Sequence, residues 1–233
     1  MYSFVKYVGY RLTPPLPPDR YQRGLSAILT QDYNLSHPSQ DPSSPGHSIR
    51  TIKVHLEHTN GKLPTHIFAA VDTKSNKAQM YPVHGLLYAV NCATPIFPPD
   101  SLASPPTPER YLDQGFTLTL PFIAFSMPHL TSFELVNTFL YNRNPYSFIR
   151  NLFPPLPNGS FPNAELDRPS IRTRLSYTLA TSFSVAVLLE TARFMHGVWS
   201  NLTALGIVQE EIWSTLDLAW SILLEGISLA TQL

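Results

Sequence analysis

Charge is scarce in this chain and neither sign is in excess. Asp, Glu, Lys and Arg make up only 14% of its 233 residues, with 16 basic side chains against 16 acidic ones. No basic field is available, so general nucleic-acid binding is excluded and no direct nucleic-acid contact is expected. Cysteine is scarcer still. Cys92 stands alone, which rules out an internal disulfide framework and suits a reducing, intracellular compartment, cytoplasm or nucleus. No secretory start is expected, because Lys6, Gly9 and Arg11 interrupt the first residues. The glycosylation-type triplets at Asn34, Asn158 and Asn201 are therefore expected to be chance matches. Two charge-free runs in the C-terminal part, Leu175 to Leu189 and Phe194 to Gln209, carry several polar residues. Each falls short of the ~20 apolar residues a membrane span needs, so buried helices and no membrane are expected.

Signatures of chemistry are equally thin. There is no glycine-rich phosphate loop, and Ser26, Ser126 and Ser184 sit in no nucleophile-elbow context. His84 and Cys92 lie eight residues apart on one expected helix, about two turns, too far for a nucleophile–base bond along it. His84 is expected to tie a neighbouring carbonyl and Cys92 to pack as a small apolar residue. His47, His55, His58 and His66 surround an expected hairpin, where His55 and His66 would face each other, but no Cys, Asp or Glu completes a ligand spacing. The reading is no catalytic residue, no metal and no cofactor. The competing reading is a small hydrolase or transferase with a site assembled from distant loops, recognisable by a pocket joining a histidine to Ser, Cys or Asp. A third is a membrane-associated subunit held by C-terminal helices.

What the chain does have is apolar residues, at 43%, and 23 prolines clustered between periodic segments. Residues 1–48 read as a proline-rich arm, partly ordered, with Pro14-Pro15-Leu16-Pro17-Pro18 favouring an extended connector. Residues 49–155 read as an α/β core. Ile52, Val54 and Leu56 alternate with polar neighbours as a half-buried strand. Asn60-Gly61 predicts a hairpin to the more continuously apolar return strand Thr65–Asp72.

Tyr81 to Cys92 reads as an amphipathic helix with Pro82 in its first turn and Val83, Leu86, Leu87 and Val90 on the buried face. Phe116, Leu118 and Leu120 alternate as a third strand. Thr131 and Glu134 fit a capping box, with Leu130 and Leu135 placed as a hydrophobic staple, opening a helix that buries Phe133, Val136 and Leu140. Asn144-Pro145 starts a shorter helix that buries Phe148, Ile149 and Leu152.

Beyond the linker at 154–169, residues 170–233 read as a C-terminal helical extension. Leu175, Leu179, Phe183 and Ala186 form one stripe, and Met195, Val198, Trp199 and Leu202 a second. Gly206 is the expected turn, and Ile212, Leu216, Ala219, Trp220, Leu223 and Ile227 line the last helix of an antiparallel pair.

Strand, strand, helix, strand and two helices is the order of the BTB/POZ domain. Met80 to Ala89 resembles that fold's short aromatic–histidine–apolar helix start, and Ser132-Phe133-Glu134 with Phe139-Leu140-Tyr141 resembles its later helix. More narrowly, Val83-His84-Gly85-Leu86, Phe139 to Arg143 and Leu152-Phe153-Pro154 resemble the fungal clampless family, intracellular regulators of mushroom sexual development. The fold expected is α+β: a BTB/POZ-like small mixed sheet covered by helices, with a C-terminal helical hairpin. The resemblance implies a non-enzymatic protein–protein interaction module that binds regulatory proteins, transcription regulators among them. The long loop 95–114 and Pro121 depart from the BTB pattern and put the usual dimer surface in doubt, although a homodimer stays open. Trp199, Trp213, Trp220, Phe139 and Tyr141 are the expected partner-binding residues, since aromatic side chains dominate interface anchors.

Overall fold

The computed structural model describes residues 51–56, 63–72, 77–98, 102, 109–110, 116–157, 161 and 168–232. The proline-rich arm 1–48, the Asn60-Gly61 turn and Asn158 lie outside them. The chain divides into two compact units, Met1–Leu130 and Thr131–Leu233. It is an α+β protein with a small mixed sheet in the first unit and helices filling the second.

The sheet is built from β1 (Thr51–Leu56), β2 (His66–Asp72), β3 (Lys77–Val83) and β5 (Phe116–Ser126), in the order β1-β5-β2-β3. The two-residue β4 (Glu109–Arg110) pairs with β5. β5 is the hub, because β1 lies antiparallel to its first half, Leu56↔Phe116 to Thr51↔Pro121. Beyond Pro121 it runs parallel to β2, from Ile67↔Phe122 to Val71↔Ser126. A proline lacks the ladder N–H, which fits a point where a strand changes partners.

The hairpin is therefore not the one expected. β2 turns back into β3, pairing His66↔Val83 through Asp72↔Lys77, and β1 does not pair with β2. Consequently His55 and His66 do not face each other, since β5 lies between their strands. β2 is covered on both faces, as its continuous apolar run predicts. Ile67 and Ala69 join Ile52, Val54, Met80, Leu118 and Leu120 in one cluster. Phe68, on the opposite face, stacks on Tyr88 with ring centroids 5.6 Å apart. Alternation along a strand sends these neighbours to opposite sides.

Helix α1 is Gly85–Asn91, four residues shorter at its start than the periodicity suggests. Tyr81 and Pro82 belong to β3, where proline is tolerated at the edge of a sheet.

The second unit holds α2 (Leu130–Asn142), α3 (Pro145–Leu152), α4 (Pro169–Ser182), α5 (Val185–Leu205) and α6 (Glu210–Ala230). α2 starts at Leu130, so Thr131 lies inside its first turn rather than before it. Phe133, Val136 and Leu140 are buried as expected. α3 follows the sequence closely: Asn144 Oδ1 accepts from the Ser147 amide at 2.9 Å, Pro145 sits in the first turn, and Phe148, Ile149 and Leu152 are buried.

The C-terminal hairpin is α5 and α6, but a separate α4 precedes it. The break falls at Phe183-Ser184, where the Ser184 hydroxyl accepts from the Val187 amide and starts α5. Gly206 closes α5 in the left-handed conformation (φ 62°), the geometry of a helix-ending glycine. α6 packs against α4, α5 and α3 through Ile212, Leu216, Ala219, Ile222 and Leu223, all fully buried. By length and composition α6 could cross a membrane. Here its most apolar side is spent within the unit.

Candidate functional site

α1 is seated by a short polar chain. The Gly85 amide donates to Thr65 Oγ1 at 2.8 Å, and that oxygen lies 2.7 Å from His66 Nδ1. The His66 ring, 1% exposed, meets Phe97 edge-on with centroids 4.6 Å apart. Phe97 also meets Tyr88 edge-on at 5.7 Å. His66, Phe68, Tyr88, Phe97 and Phe125 thus form one aromatic cluster beneath the helix. With Gly85, Tyr88 and Asn91 turned inward, the other side of α1 must face out.

That outward side is apolar. Leu86 is 68% exposed and Val90 62%, and Ala89 and Ala93 beside them are exposed. The periodicity is right but its direction is reversed: Leu86 and Val90 are not the buried face, because Tyr88 and Gly85 occupy it. No Asp, Glu, Lys or Arg occurs between Lys77 and Asp100, so the ridge is uncharged as well as apolar. An apolar patch of this kind, left uncovered, is a feature of contact surfaces. Next to it, Tyr88, Ala89, Cys92 and the 93–97 segment line a cavity of about 230 Å³. This is below the ~300 Å³ at which small-molecule sites begin, and suits one inserted side chain.

Cys92 lines that cavity, and burial pushes its thiol up to about 12. A thiol so placed stays protonated, and the thiolate is the reactive form. Native Cys92 will resist iodoacetamide at pH 8.5, and denaturant will release it to react at the ordinary rate. Rapid labelling of the folded chain, read by mass spectrometry, would contradict the burial. His84 is the residue before α1, and its carbonyl accepts from the Leu87 amide. Ser184 is a helix cap and Ser126 an exposed end of β5. Ser26 lies outside the described residues. Among the described residues, no three of His, Cys, Asp and Glu gather as metal ligands.

The five expected anchors separate. Trp199 is 46% exposed on α5 and stacks on His196 at 5.9 Å. Trp213 and Trp220 are half-buried on α6, the first donating from Nε1 to the Ile207 carbonyl at 2.9 Å. Tyr141 is half-buried on α2. Phe139 is 1% exposed, with its ring edge against Phe148 at 5.2 Å, so it is a core residue and no surface anchor. Asn201 is likewise buried, its amide donating to Ser132 Oγ at 3.0 Å, which leaves it no access to a glycan. Leu86 and Val90 were missed as surface residues because a two-turn helix shows the same spacing from either side.

Two family models match the chain. The clampless protein 1 N-terminal domain covers residues 5–128 and the clampless protein 1 C-terminal domain residues 147–233. No curated protein and no solved structure matches.

Proposed function

The chain belongs to the clampless family, and from that premise we propose that it is a non-enzymatic, intracellular regulator of fungal sexual development. It acts by binding regulatory proteins, in the cytoplasm or nucleus, through a BTB/POZ-like core and its helical extension. The observation that carries this reading is the uncharged ridge of α1, with Leu86 and Val90 more than half exposed on a rigid aromatic seat. Two aliphatic side chains one helical turn apart, beside a side-chain-sized cavity, have the form of an anchor for a partner helix or loop. Rigid seating also lowers the ordering cost of association.

The test is the double variant Leu86→Asp, Val90→Asp. Both positions are exposed, so the fold should persist while capture of partners from mushroom hyphae expressing the tagged chain is lost. Recovery of the same partner set by the variant, at the same yield, would remove the basis of the proposal.

A further inference from the structure

The outward side of α6 carries a second surface of different chemistry. Trp213, Trp220 and Ile227 recur every seventh residue along it, half-buried, with Leu224 beside them 57% exposed. Every seventh residue on a helix keeps to one side. Asp217 and Glu210, both exposed, border the stripe, and Val208 lies exposed just before the helix. α6 holds four acidic residues, Glu210, Glu211, Asp217 and Glu225, and no basic one. The stripe therefore pairs two tryptophans, a side chain enriched among interface hot spots, with a margin to which α6 itself contributes only acids. The nearest cation is Arg172 of α4, which donates to Ser221 Oγ at 3.0 Å.

We infer that this face of α6 binds a basic amphipathic helix of a partner protein, whose apolar residues cover Trp213, Trp220 and Leu224 while its Lys or Arg side chains meet Asp217 and Glu210. An anionic membrane surface is disfavoured by the same acids, which it would repel. The inference rests on reading the chain as a protein-binding module, but it names a site and a partner chemistry that the α1 ridge does not supply.

A fluorescence titration of the full-length chain tests it. In a Trp199→Phe background the emission comes from Trp213 and Trp220 alone, because the chain has three tryptophans. The probes are a synthetic amphipathic helix of leucine and lysine, its leucine–glutamate counterpart, and vesicles of anionic phospholipid. The lysine peptide should shift the emission to the blue saturably, and the glutamate peptide should not. Asp217→Lys and, separately, Leu224→Asp should each weaken binding by about tenfold or more. Glu190→Lys, a reversal on exposed α5, should leave it unchanged. Circular dichroism confirms that the variants stay helical.

Equal binding of both peptides, no shift, or equal losses in Asp217→Lys and Glu190→Lys would overturn the inference. A blue shift with vesicles that Leu224→Asp abolishes would also overturn it, by assigning the face to lipid. If the titration fails while capture still depends on Leu86 and Val90, the α6 site falls and the proposed function stands. If capture fails and the titration holds, the reverse is true.

Discussion

Phe139→Ala will cost the helical unit about 3–5 kcal/mol, the range for emptying a buried phenylalanine site, while Trp199→Ala will move stability by no more than about 0.5 kcal/mol. The two residues look alike in sequence, both aromatic and both on helical stripes, and both read as partner anchors. They differ in what surrounds them. Phe139 is 1% exposed and meets Phe148 edge-on, so alanine leaves a void that α2 and α3 cannot close without moving both helices. Trp199 is 46% exposed and rests on His196, a contact already open to water. Chemical denaturation of each variant, followed by helical circular dichroism, measures the difference. A small loss at Phe139 would mean that the unit is loosely packed there. A large one at Trp199 would mean that its ring supports the fold.

The elements that were legible are those specified by near neighbours. Asn144-Pro145 announces α3, because a cap and a first-turn proline act within a few residues, and the Asn144–Ser147 bond forms as the motif requires. The buried stripe of α6 is legible because a long helix repeats its pattern often enough to fix a face.

The sheet was harder to read for a physical reason. Asn60-Gly61 is a strong local hairpin signal, yet the partner of β1 is β5, some sixty residues later in the chain. A pairing at such separation is chosen by tertiary packing that no short window contains. The break between α4 and α5 has neither glycine nor proline to mark it, only Ser184 acting as a cap inside a charge-free run. For α1 the helix was legible but its buried side was not. Seven residues give too few turns to decide, and Gly85 and Tyr88 outweigh the aliphatic pair once the aromatic cluster lies beneath.

That seat makes the second large effect specific. Alanine is favoured over glycine within a helix by about 1 kcal/mol, so at an open position Gly85→Ala would stabilise α1. Here the opposite sign is expected. A Cβ on Gly85 would stand 2.6 Å from His66 Cε1 and Nδ1 and 2.7 Å from Leu102 Cδ2. Leu102 offers the end of a flexible side chain and can turn away. His66 cannot readily do so, because Thr65 Oγ1 lies 2.7 Å from its Nδ1 and Phe97 meets its ring.

Relief must come from lifting α1, which strains the Gly85–Thr65 hydrogen bond and loosens Tyr88 from Phe68. Overpacking of this kind costs about 1–3 kcal/mol. A double-mutant cycle with His66→Ala isolates it: removing the ring frees the space, and the coupling should be about 0.5–3 kcal/mol in the direction of rescue. Because α1 carries Leu86 and Val90, Gly85→Ala should also weaken partner capture, with His66→Ala restoring part of it. A stabilising Gly85→Ala, or strict additivity with His66→Ala, would show that the helix does not depend on this close approach for its position.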